Sequence, residues 1–352
     1  MNIVKNAMNI WKIGSDADTK MKKYTKNEAI NVAIMGAGNI ARVMALTING
    51  VDGANAYAVA SRDYMRAQRF AKNFSFNKAY GSYDEMLADP NIDLVYVATP
   101  HSHHYKCMKM CLEAGKNVLC EKAFTVSANQ AKQIIALAKE KNLLVAEAIW
   151  TRYLPSRQIV QEILDSGVIG EKVSINANFC QNLSHIKRIQ DKNLAGGALL
   201  DLGIYPLTCT RMYFGEKVVE LVSHADQDES GVDQIENISI KFEGRKMATI
   251  NCNAKAVMKD GAVISGTQGY IELSSITNPH KITVCVPKKL YKQTYKVPKQ
   301  ITGFEYELLE CIDAIKSGEI ECKSMPHSEI IYMMELMDSL RKQWNYDIPE
   351  IN

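Results

Sequence analysis

A glycine-rich turn with the spacing G-x-G-x-x-A is the first feature of the sequence that could do chemistry. Its members are Gly36, Ala37, Gly38, Asn39, Ile40 and Ala41. The turn joins an apolar run typical of a strand to a segment of helical composition, which is the context that a dinucleotide-binding turn requires. The first glycine permits a tight turn, the second lets the backbone approach a pyrophosphate, and the helix N-terminus offers amide donors. The turn therefore predicts a dinucleotide site, with a turn kept for packing alone as the weaker interpretation.

The end of the second predicted strand carries hydroxyl and cationic side chains, where an acidic residue usually binds the ribose 2′-hydroxyl. Ser61 and Arg62 stand there, and Arg66 follows four residues later, a spacing that puts both arginines on one helical face. A hydroxyl and two guanidinium groups suit a 2′-phosphate. The sequence therefore favours NADP as the cofactor, with NAD as the second choice. The alternative is that both arginines are solvated surface residues without a cofactor contact, and the nearby negative charge of Asp63 also affects the local electrostatic field.

A group of histidines and cysteines after the third predicted strand has the composition of a metal site. Its members are His101, His103, His104, Cys107 and Cys111. The first helical member, His103, is eight residues from Cys111, or about 12 Å along a helix. One tetrahedral ion with short bonds cannot span that distance, so no metal is predicted and the cysteines are interpreted as a buried stripe. Thr99, Pro100 and the following histidines are expected to border a nicotinamide.

A lysine follows the next buried strand and should emerge at the same crevice. Glu121 and Lys122 end that apolar run. Beside a nicotinamide, an ammonium group can donate to a substrate oxygen or lower the pKa of a neighbouring acid. The alternative is an ordinary solvated lysine.

A carboxylate and a phenol lie further along, where a glycine pair at 196–197 leads into a predicted helix. Asp201 and Tyr205 are four residues apart on that helix and share a face. Together they could bind a hydroxyl group and move its proton. A phenol, whose pKa is ordinarily about 10, needs a neighbouring cation to do this near neutrality, and Lys122 is the candidate. A surface aspartate and a packed tyrosine explain the composition equally well.

Apolar strands alternate with helices from residue 30 to about residue 148, which indicates a parallel sheet covered on both faces. The predicted strands are 30–35, 56–60, 93–98, 116–120 and 143–146, and the predicted helices are 40–47, 64–74, 103–114 and 128–140.

After residue 150 apolar and polar residues alternate with a period of two, which is typical of an antiparallel sheet with one dry face. The alternating runs are 173–179, 238–242, 248–252, 282–284 and 291–297, with a turn at 266–269 and closing helices near 304–316 and 328–344. We therefore predict an N-terminal extension over 1–29, which is either a poorly ordered arm or a start-site artefact, a dinucleotide-binding domain over 30–149 and a second domain over 150–352.

The composition of the chain argues against several classes of protein. The 42 basic and 39 acidic residues give a net charge of +3, which does not indicate a nucleic-acid surface. The sequence contains no apolar run of about 18 residues, so a membrane span is not expected. Nine cysteines without a Cys-x-x-Cys pair favour free thiols in a reducing compartment, and hence a cytoplasmic protein.

Taken in their order along the chain, the motifs resemble those of the glucose–fructose oxidoreductase/inositol dehydrogenase (Gfo/Idh/MocA) family. The resemblance covers nearly the whole chain from residue 30. The markers are GAGNIA at 36–41, ATP followed by His104, AGKNVLCEK at 114–122 and GGALLDLGIY at 196–205. Within the family, the chain looks most like the dihydrodiol and NADP-dependent D-xylose dehydrogenase branch. That likeness rests on AIWTRYLP at 148–155, GFEYE at 303–307, MPHSE at 325–329 and the two arginines at 62 and 66.

The resemblance implies a Rossmann domain followed by an α/β domain with an open, mainly antiparallel sheet. It implies that Lys122 is the lysine of the family's E-K-P motif, that Tyr205 is the acid/base, and that Trp150 and Arg152 lie near the nicotinamide. Family members often dimerise, so a homo-oligomer, preferably a dimer, is expected. Many inositol dehydrogenases have histidine where this chain has Tyr205, which argues against an inositol enzyme.

The chain departs from the family pattern at two positions. Ala123 replaces the proline of E-K-P, which predicts a looser backbone around Lys122, and Ala195 replaces the first glycine of G-G-G-A-L. The loop 181–194, with Lys187 and Arg188, has no counterpart that can be carried over.

The hypothesis is an NADP-dependent oxidoreductase for a hydroxyl of a sugar or cyclic diol. In it Tyr205 takes the proton, Lys122 lowers the pKa of Tyr205, and Asp201 holds the substrate. A non-catalytic cofactor-sensing regulator is one rival. A sugar-phosphate or keto-sugar reductase, with Lys187 and Arg188 on the phosphate, is another.

Overall fold

A computed structural model describes residues 3–215 and 217–349, with side chains for all of these except residues 3–8, 11 and 18. The α-helices are α1 Ile3–Met21, α2 Asn39–Gly50, α3 Tyr64–Asn73, α4 Tyr83–Leu87, α5 His101–Glu113, α6 Ala128–Lys141, α7 Pro155–Asp165, α8 Ile204–Tyr213, α9 Glu305–Ser317 and α10 His327–Gln343. The strands are β1 Ile30–Met35, β2 Ala54–Ala60, β3 Lys78–Tyr80, β4 Leu94–Val97, β5 Asn117–Glu121, β6 Val145–Ala148, β7 Lys172–Cys180, β8 Val218–Gln227, β9 Asp233–Phe242, β10 Lys246–Asn253, β11 Gly261–Gly266, β12 Tyr270–Leu273, β13 Lys281–Val286 and β14 Tyr291–Lys296.

Two compact units share the chain. The parallel-sheet unit comprises Thr19–Tyr153 and Gln300–Glu335, and the mixed-sheet unit comprises residues 3–18, Leu154–Lys299 and Leu336–Pro349. Each unit is therefore assembled from separated segments. The predicted boundary between 149 and 150 lies close to one of the crossings between units, and the division of function at that boundary stays a prediction.

The first sheet has the order β3-β2-β1-β4-β5-β6, and all of its pairs are parallel. Its central strands are buried on both faces, as the continuous apolar runs predict; every residue of β4 is fully buried. The strand order reverses between β1 and β4, which opens a crevice at the carboxyl ends of these strands, where ligands bind in open α/β sheets. The expected Rossmann sheet is confirmed.

The second sheet has the order β14-β13-β12-β11-β7-β10-β9-β8 and is antiparallel except for the pair β7 and β10. One face carries the buried members of the alternating runs, among them Ile175, Ile240 and Ile250. The predicted turn joins β11 to β12, where the Gly266 N–H donates to the Gly269 carbonyl at 2.8 Å. The expected mainly antiparallel sheet is confirmed, with β11 and β12 as the two runs that flank the predicted turn, although β8 was not predicted as a strand.

Residues from late in the chain complete the edge of the parallel sheet. The Val145 N–H of β6 donates to the Ile320 carbonyl at 3.1 Å. The buried His327 lies with Nε2 3.0 Å from the Val145 carbonyl oxygen. An edge strand presents main-chain groups that need partners, and the 320–327 segment supplies them here.

The N-terminal segment differs from the predicted poorly ordered arm. Its described part forms α1, in which Ile10 and Ala17 are buried. Tyr24 is also buried and donates a hydrogen bond to Asp313, which in addition pairs with Lys23 at 2.8 Å. The spacing of Ile10, Ile13 and Ala17 is that of one helical face, so a helix signal was present in a segment otherwise rich in polar residues.

Within the described ranges, no helix is both long enough and apolar enough to cross a membrane. All nine cysteines are free thiols, and only Cys285 is not buried.

Candidate active site

The glycine turn has the geometry of a dinucleotide-binding turn. Gly36 has a φ of +105°, and a Cβ there would lie 2.8 Å from the Ala98 carbonyl oxygen, so the position requires glycine. Gly38 is the N-cap of α2, and a Cβ built on it would have no described atom within 4 Å. Open space therefore faces the first turn of α2, where backbone N–H groups are available to an anion.

Arg66 fixes the shape of this turn. Its Nε and Nη2 donate to the Ala37 carbonyl at 3.0 and 2.8 Å. Asp63 caps α3 by accepting from the Arg66 N–H at 3.1 Å. Arg62 therefore precedes the cap and lies outside the helix. The expectation that Arg62 and Arg66 share one helical face is wrong, because the cap residue stands between them.

Arg62 and Ser61 occupy the end of β2 as predicted. Ser61 is buried, and its N–H donates to the Tyr80 carbonyl at 3.2 Å. Arg62 is exposed, and within the described ranges it has no hydrogen-bond or ion-pair partner. Burial lowers the pKa of His103, and the nearby positive charge of Arg62 adds to that effect. Arg62 thus presents an uncompensated charge beside the first turn of α5.

His104 braces the turns that follow β4 and β5. It is fully buried, with Nδ1 2.8 Å from the Ala123 carbonyl oxygen and Nε2 2.9 Å from that of Thr99. Burial lowers its pKa to about 4, so the ring is neutral near pH 7 and donates to only one of the two carbonyls. The structure places His104 behind the turns rather than at their surface, while Thr99 and Pro100 are half-exposed.

The Lys122 segment is anchored at three successive residues. His101 Nε2 lies 3.1 Å from the Lys122 carbonyl oxygen, His104 contacts the Ala123 carbonyl, and the Phe124 N–H donates to Glu147 at 3.0 Å. The Lys122–Ala123 peptide bond is cis. Side chains from α5 and β6 hold this segment, and the looser backbone expected from Ala123 stays a prediction.

Buried carboxyl groups lie close to one another near the end of β5. Glu121 accepts a hydrogen bond from Tyr96, and burial raises the pKa of Glu147 to about 7. Glu307 is fully buried, neither of its carboxylate oxygens has a hydrogen-bond partner among the described residues, and burial raises its pKa well above the usual value. The sequence offered one sign of this group, the glutamate inside the apolar run that forms β6.

Trp150 and Arg152 lie in a short 3₁₀ helix after β6. The Trp150 ring packs edge-to-face on Phe304 at 4.9 Å between centroids. Arg152 is buried and donates to Glu329 at 3.0 Å and to the Ser324 carbonyl at 2.8 Å. Both residues sit at the carboxyl end of the parallel sheet, with the charge of Arg152 balanced by Glu329.

In the mixed-sheet unit, Asp201 and Tyr205 stand on consecutive helical segments. Leu199–Gly203 form a π-helix that continues into α8, a local geometry that often marks functional sites. The Leu199 N–H at its start donates to Asp233 at 2.6 Å. The Tyr205 ring packs edge-to-face on Phe179 at 5.4 Å between centroids. The predicted loop-to-helix segment is confirmed.

Asp201 has an ionic partner that sequence reasoning missed. Arg188 donates from Nη1 and Nη2 to Asp201 Oδ1, both at 3.2 Å. The two residues are thirteen positions apart and lie on different short helical segments, so no helical or strand spacing signals the pair.

The parallel-sheet unit fits a bound dinucleotide. Open space lies before the α2 N-terminus at Gly38, and a hydroxyl and an exposed guanidinium end β2. These groups match a pyrophosphate and an adenosine ribose or its phosphate. The described side chains contain no group of histidine, cysteine or carboxylate residues arranged to hold a metal ion.

Two family profiles match the chain. Residues 30–148 match the Gfo/Idh/MocA oxidoreductase family with an NAD-binding Rossmann fold, and residues 158–272 match the Gfo/Idh/MocA C-terminal domain.

Curated relatives cover most of the chain. Mouse trans-1,2-dihydrobenzene-1,2-diol dehydrogenase is 32% identical over 335 residues, 92% of this chain and 99% of the relative. The human enzyme of the same name is 33% identical over 305 residues, 83% and 90% of the two chains.

Solved structures share the fold. A 3-ketoreductase from Actinomadura kijaniata, in complex with NADP and TDP-benzene, superposes with a TM-score of 0.82 at 24% identity, over 89% of this chain and 97% of the other. A levoglucosan dehydrogenase in complex with NADH and L-sorbose gives 0.80 at 18% identity, over 92% and 100%. From these matches and the geometry above, the chain belongs to the Gfo/Idh/MocA family of NAD(P)-dependent oxidoreductases.

Proposed function

We propose that this protein oxidises a secondary or anomeric hydroxyl of a sugar or cyclic diol with NADP, or catalyses the reverse reduction. The observation that carries the proposal is the Lys122 segment, anchored at three successive residues in the unit that holds the dinucleotide turn. The relatives named as dihydrodiol dehydrogenases, 32–33% identical over most of the chain, support a diol. The structural neighbour with bound L-sorbose supports a sugar.

In the proposed mechanism, side chains of this chain bind the substrate and move its proton. The phenolate oxygen of Tyr205 accepts the proton of the reacting hydroxyl as it becomes a carbonyl, and Asp201 accepts a hydrogen bond that orients the substrate. The Lys122 ammonium favours the phenolate form of Tyr205. The chemistry that the nicotinamide supplies when bound is transfer of a hydride to or from the carbinol carbon.

A substrate panel tests this function. The wild-type protein is incubated with NADP⁺ and a series of aldoses, cyclic diols and inositols, and formation of reduced nicotinamide is followed by absorbance. We expect turnover of at least one aldose or cyclic diol. Tight NADPH binding without turnover of any member, joined to binding of a protein partner, would instead favour the regulator. Turnover of phosphorylated sugars alone would favour the sugar-phosphate reductase, although Arg188 already pairs with Asp201.

The preference for NADP rests on Arg62. Its guanidinium is exposed at the end of β2 without an ionic partner among the described residues, and Ser61 supplies a hydroxyl beside it. Arg66 contributes by holding the Ala37 carbonyl, so its support of the cofactor is largely through the turn.

Arg62→Ala should weaken NADPH binding by about 10- to 100-fold, because a hydrogen bond to a charged group contributes about 1.5–3 kcal/mol. NADH binding should change little. Fluorescence titration with both cofactors measures the two dissociation constants, and Arg69→Ala, an exposed arginine on α3, is the matched control. Equal losses for NADPH and NADH would contradict a 2′-phosphate contact.

We also infer a reducing, cytoplasmic location and a homodimer. Nine free thiols, eight of them buried, suit a reducing compartment. The mixed sheet leaves Val222, Met247 and Tyr270 exposed on the face opposite its buried residues, and we propose that a second copy of the chain covers this face.

A further inference from the structure

Arg188, the cationic member of the Arg188–Asp201 pair, has N–H donors that the contacts to Asp201 do not use. Besides the two contacts to Oδ1, Nη2 lies 3.4 Å from Oδ2. The Arg188 side chain is 35% exposed and that of Asp201 is 11% exposed. Among the described residues, Arg188 Nε donates no hydrogen bond. Because a guanidinium carries five N–H donors, Arg188 can donate to a second acceptor while it stays bound to Asp201.

The main chain around this pair is fixed. The Gly196 N–H donates to the Asp191 carbonyl at 3.0 Å, and the Gly197 N–H donates to the Ile189 carbonyl at 2.9 Å. A Cβ on Gly196 would lie 2.4 Å from the Ile189 carbonyl oxygen and 2.7 Å from that of Arg188. The loop that carries Arg188 is therefore packed directly against the segment that leads to Asp201. Such a site differs from a surface ion pair between two mobile side chains, which contributes little.

We propose that Arg188 determines substrate specificity by acting with Asp201 to recognise a second hydroxyl group on the carbon next to the reacting one. This inference rests on the proposed function and deepens it. A carboxylate only accepts hydrogen bonds and a guanidinium only donates them. The reacting hydroxyl gives its proton to Tyr205, while the hydroxyl on the adjacent carbon donates to Asp201 and accepts from Arg188. An isolated alcohol lacks this second hydroxyl and gains nothing from the pair, so the chain selects vicinal diols.

Selectivity between two alcohols tests the proposal. The rates of oxidation of trans-cyclohexane-1,2-diol and of cyclohexanol are measured with NADP⁺ for the wild type, Arg188→Met and Arg188→Lys. Lys187→Met is the matched control, since Lys187 is the adjacent exposed cation on the same loop. Arg188→Met should lower kcat/KM for the diol by about 10- to 100-fold through KM, with little change for cyclohexanol. Arg188→Lys keeps the positive charge but loses the planar guanidinium, so its kcat/KM for the diol should lie between those of the wild type and Arg188→Met.

The outcomes separate the role of Arg188 in specificity from a purely structural role and from failure of the proposed function. A preference for the diol in the wild type that collapses in Arg188→Met and persists in Lys187→Met supports the inference. Equal losses for both substrates, or kcat and thermal stability falling together, would show that Arg188 only holds the loop and would overturn it. Unchanged selectivity in both Arg188 variants would overturn it as well. If the wild type oxidised no alcohol or sugar, the proposed function would fail first, and this inference with it.

Discussion

Replacing Tyr205 by phenylalanine should lower kcat by about 100- to 10,000-fold, the range that a positioned general acid or base contributes. The variant keeps the ring that packs on Phe179 at 5.4 Å and removes only the hydroxyl that carries the proton. NADPH affinity should stay within about twofold of wild type, since a factor of two is worth only about 0.4 kcal/mol. Steady-state rates and a cofactor titration on the same preparation measure both quantities.

Tyr213→Phe is the control for this prediction because it deletes the same atom from the same helix. It should leave kcat unchanged. A Tyr205→Phe enzyme with wild-type turnover would remove the tyrosine from the mechanism.

Lys122→Ala belongs to the same test and should also depress kcat strongly. Its pH–rate profile should move to higher pH, because loss of the ammonium makes the phenol harder to ionise. Lys109→Ala removes an exposed lysine from α5 and serves as its control. If both Lys122→Ala and Tyr205→Phe left turnover near wild type, the active-site assignment would be wrong.

Gly38→Ala should abolish most cofactor binding while leaving the protein folded. A Cβ at this position meets no described atom within 4 Å, and the backbone φ of −88° suits alanine. The free energy of unfolding should therefore change by no more than about 1 kcal/mol. The same Cβ would project into the space where the pyrophosphate approaches the backbone, so the Kd for NADPH should rise at least about tenfold, or 1.4 kcal/mol.

Gly36→Ala gives the contrasting result. Its Cβ would lie 2.8 Å from the Ala98 carbonyl oxygen at a φ of +105°, so both stability and binding should fall, the former by about 1–3 kcal/mol from backbone strain alone. Thermal unfolding and NADPH titration of the two variants separate the roles. Wild-type affinity in Gly38→Ala would exclude a pyrophosphate at this turn.

The parallel sheet and its glycine turn could be predicted because their signals are local. Strands buried on both faces, such as β4, are apolar throughout, and a glycine with positive φ at a strand-to-helix turn has few alternatives. Short β3 lacks an apolar run and was missed. The second sheet was predicted in kind but not in full, because edge strands such as β8 alternate exposed and half-buried residues and give a weaker pattern.

Side-chain partners were harder to predict than elements. Arg62 and Arg66 have helical spacing, but Asp63 caps α3 between them, and an aspartate at this position is itself an N-cap signal. Two sets of contacts depend on loops and strands that meet only in the folded chain. They are the Arg188–Asp201 pair and the cluster of buried carboxyl side chains of Glu121, Glu147 and Glu307. No spacing in the sequence reports such contacts.

Residues near 320 complete the β6 edge of the parallel sheet, so this edge stays incomplete during much of biosynthesis. The β6 edge bonds to Ile320, and residues 300–335 belong to the same unit as residues 19–153. During translation, about half of the chain must leave the ribosome after β6 before this edge finds its partner. Domains usually fold as they are synthesised. Here the β6 edge of the nascent Rossmann sheet stays unpaired until residue 320 has been made, and an unpaired edge can pair with other chains. A gene cut at residue 150 would make that unpaired state permanent.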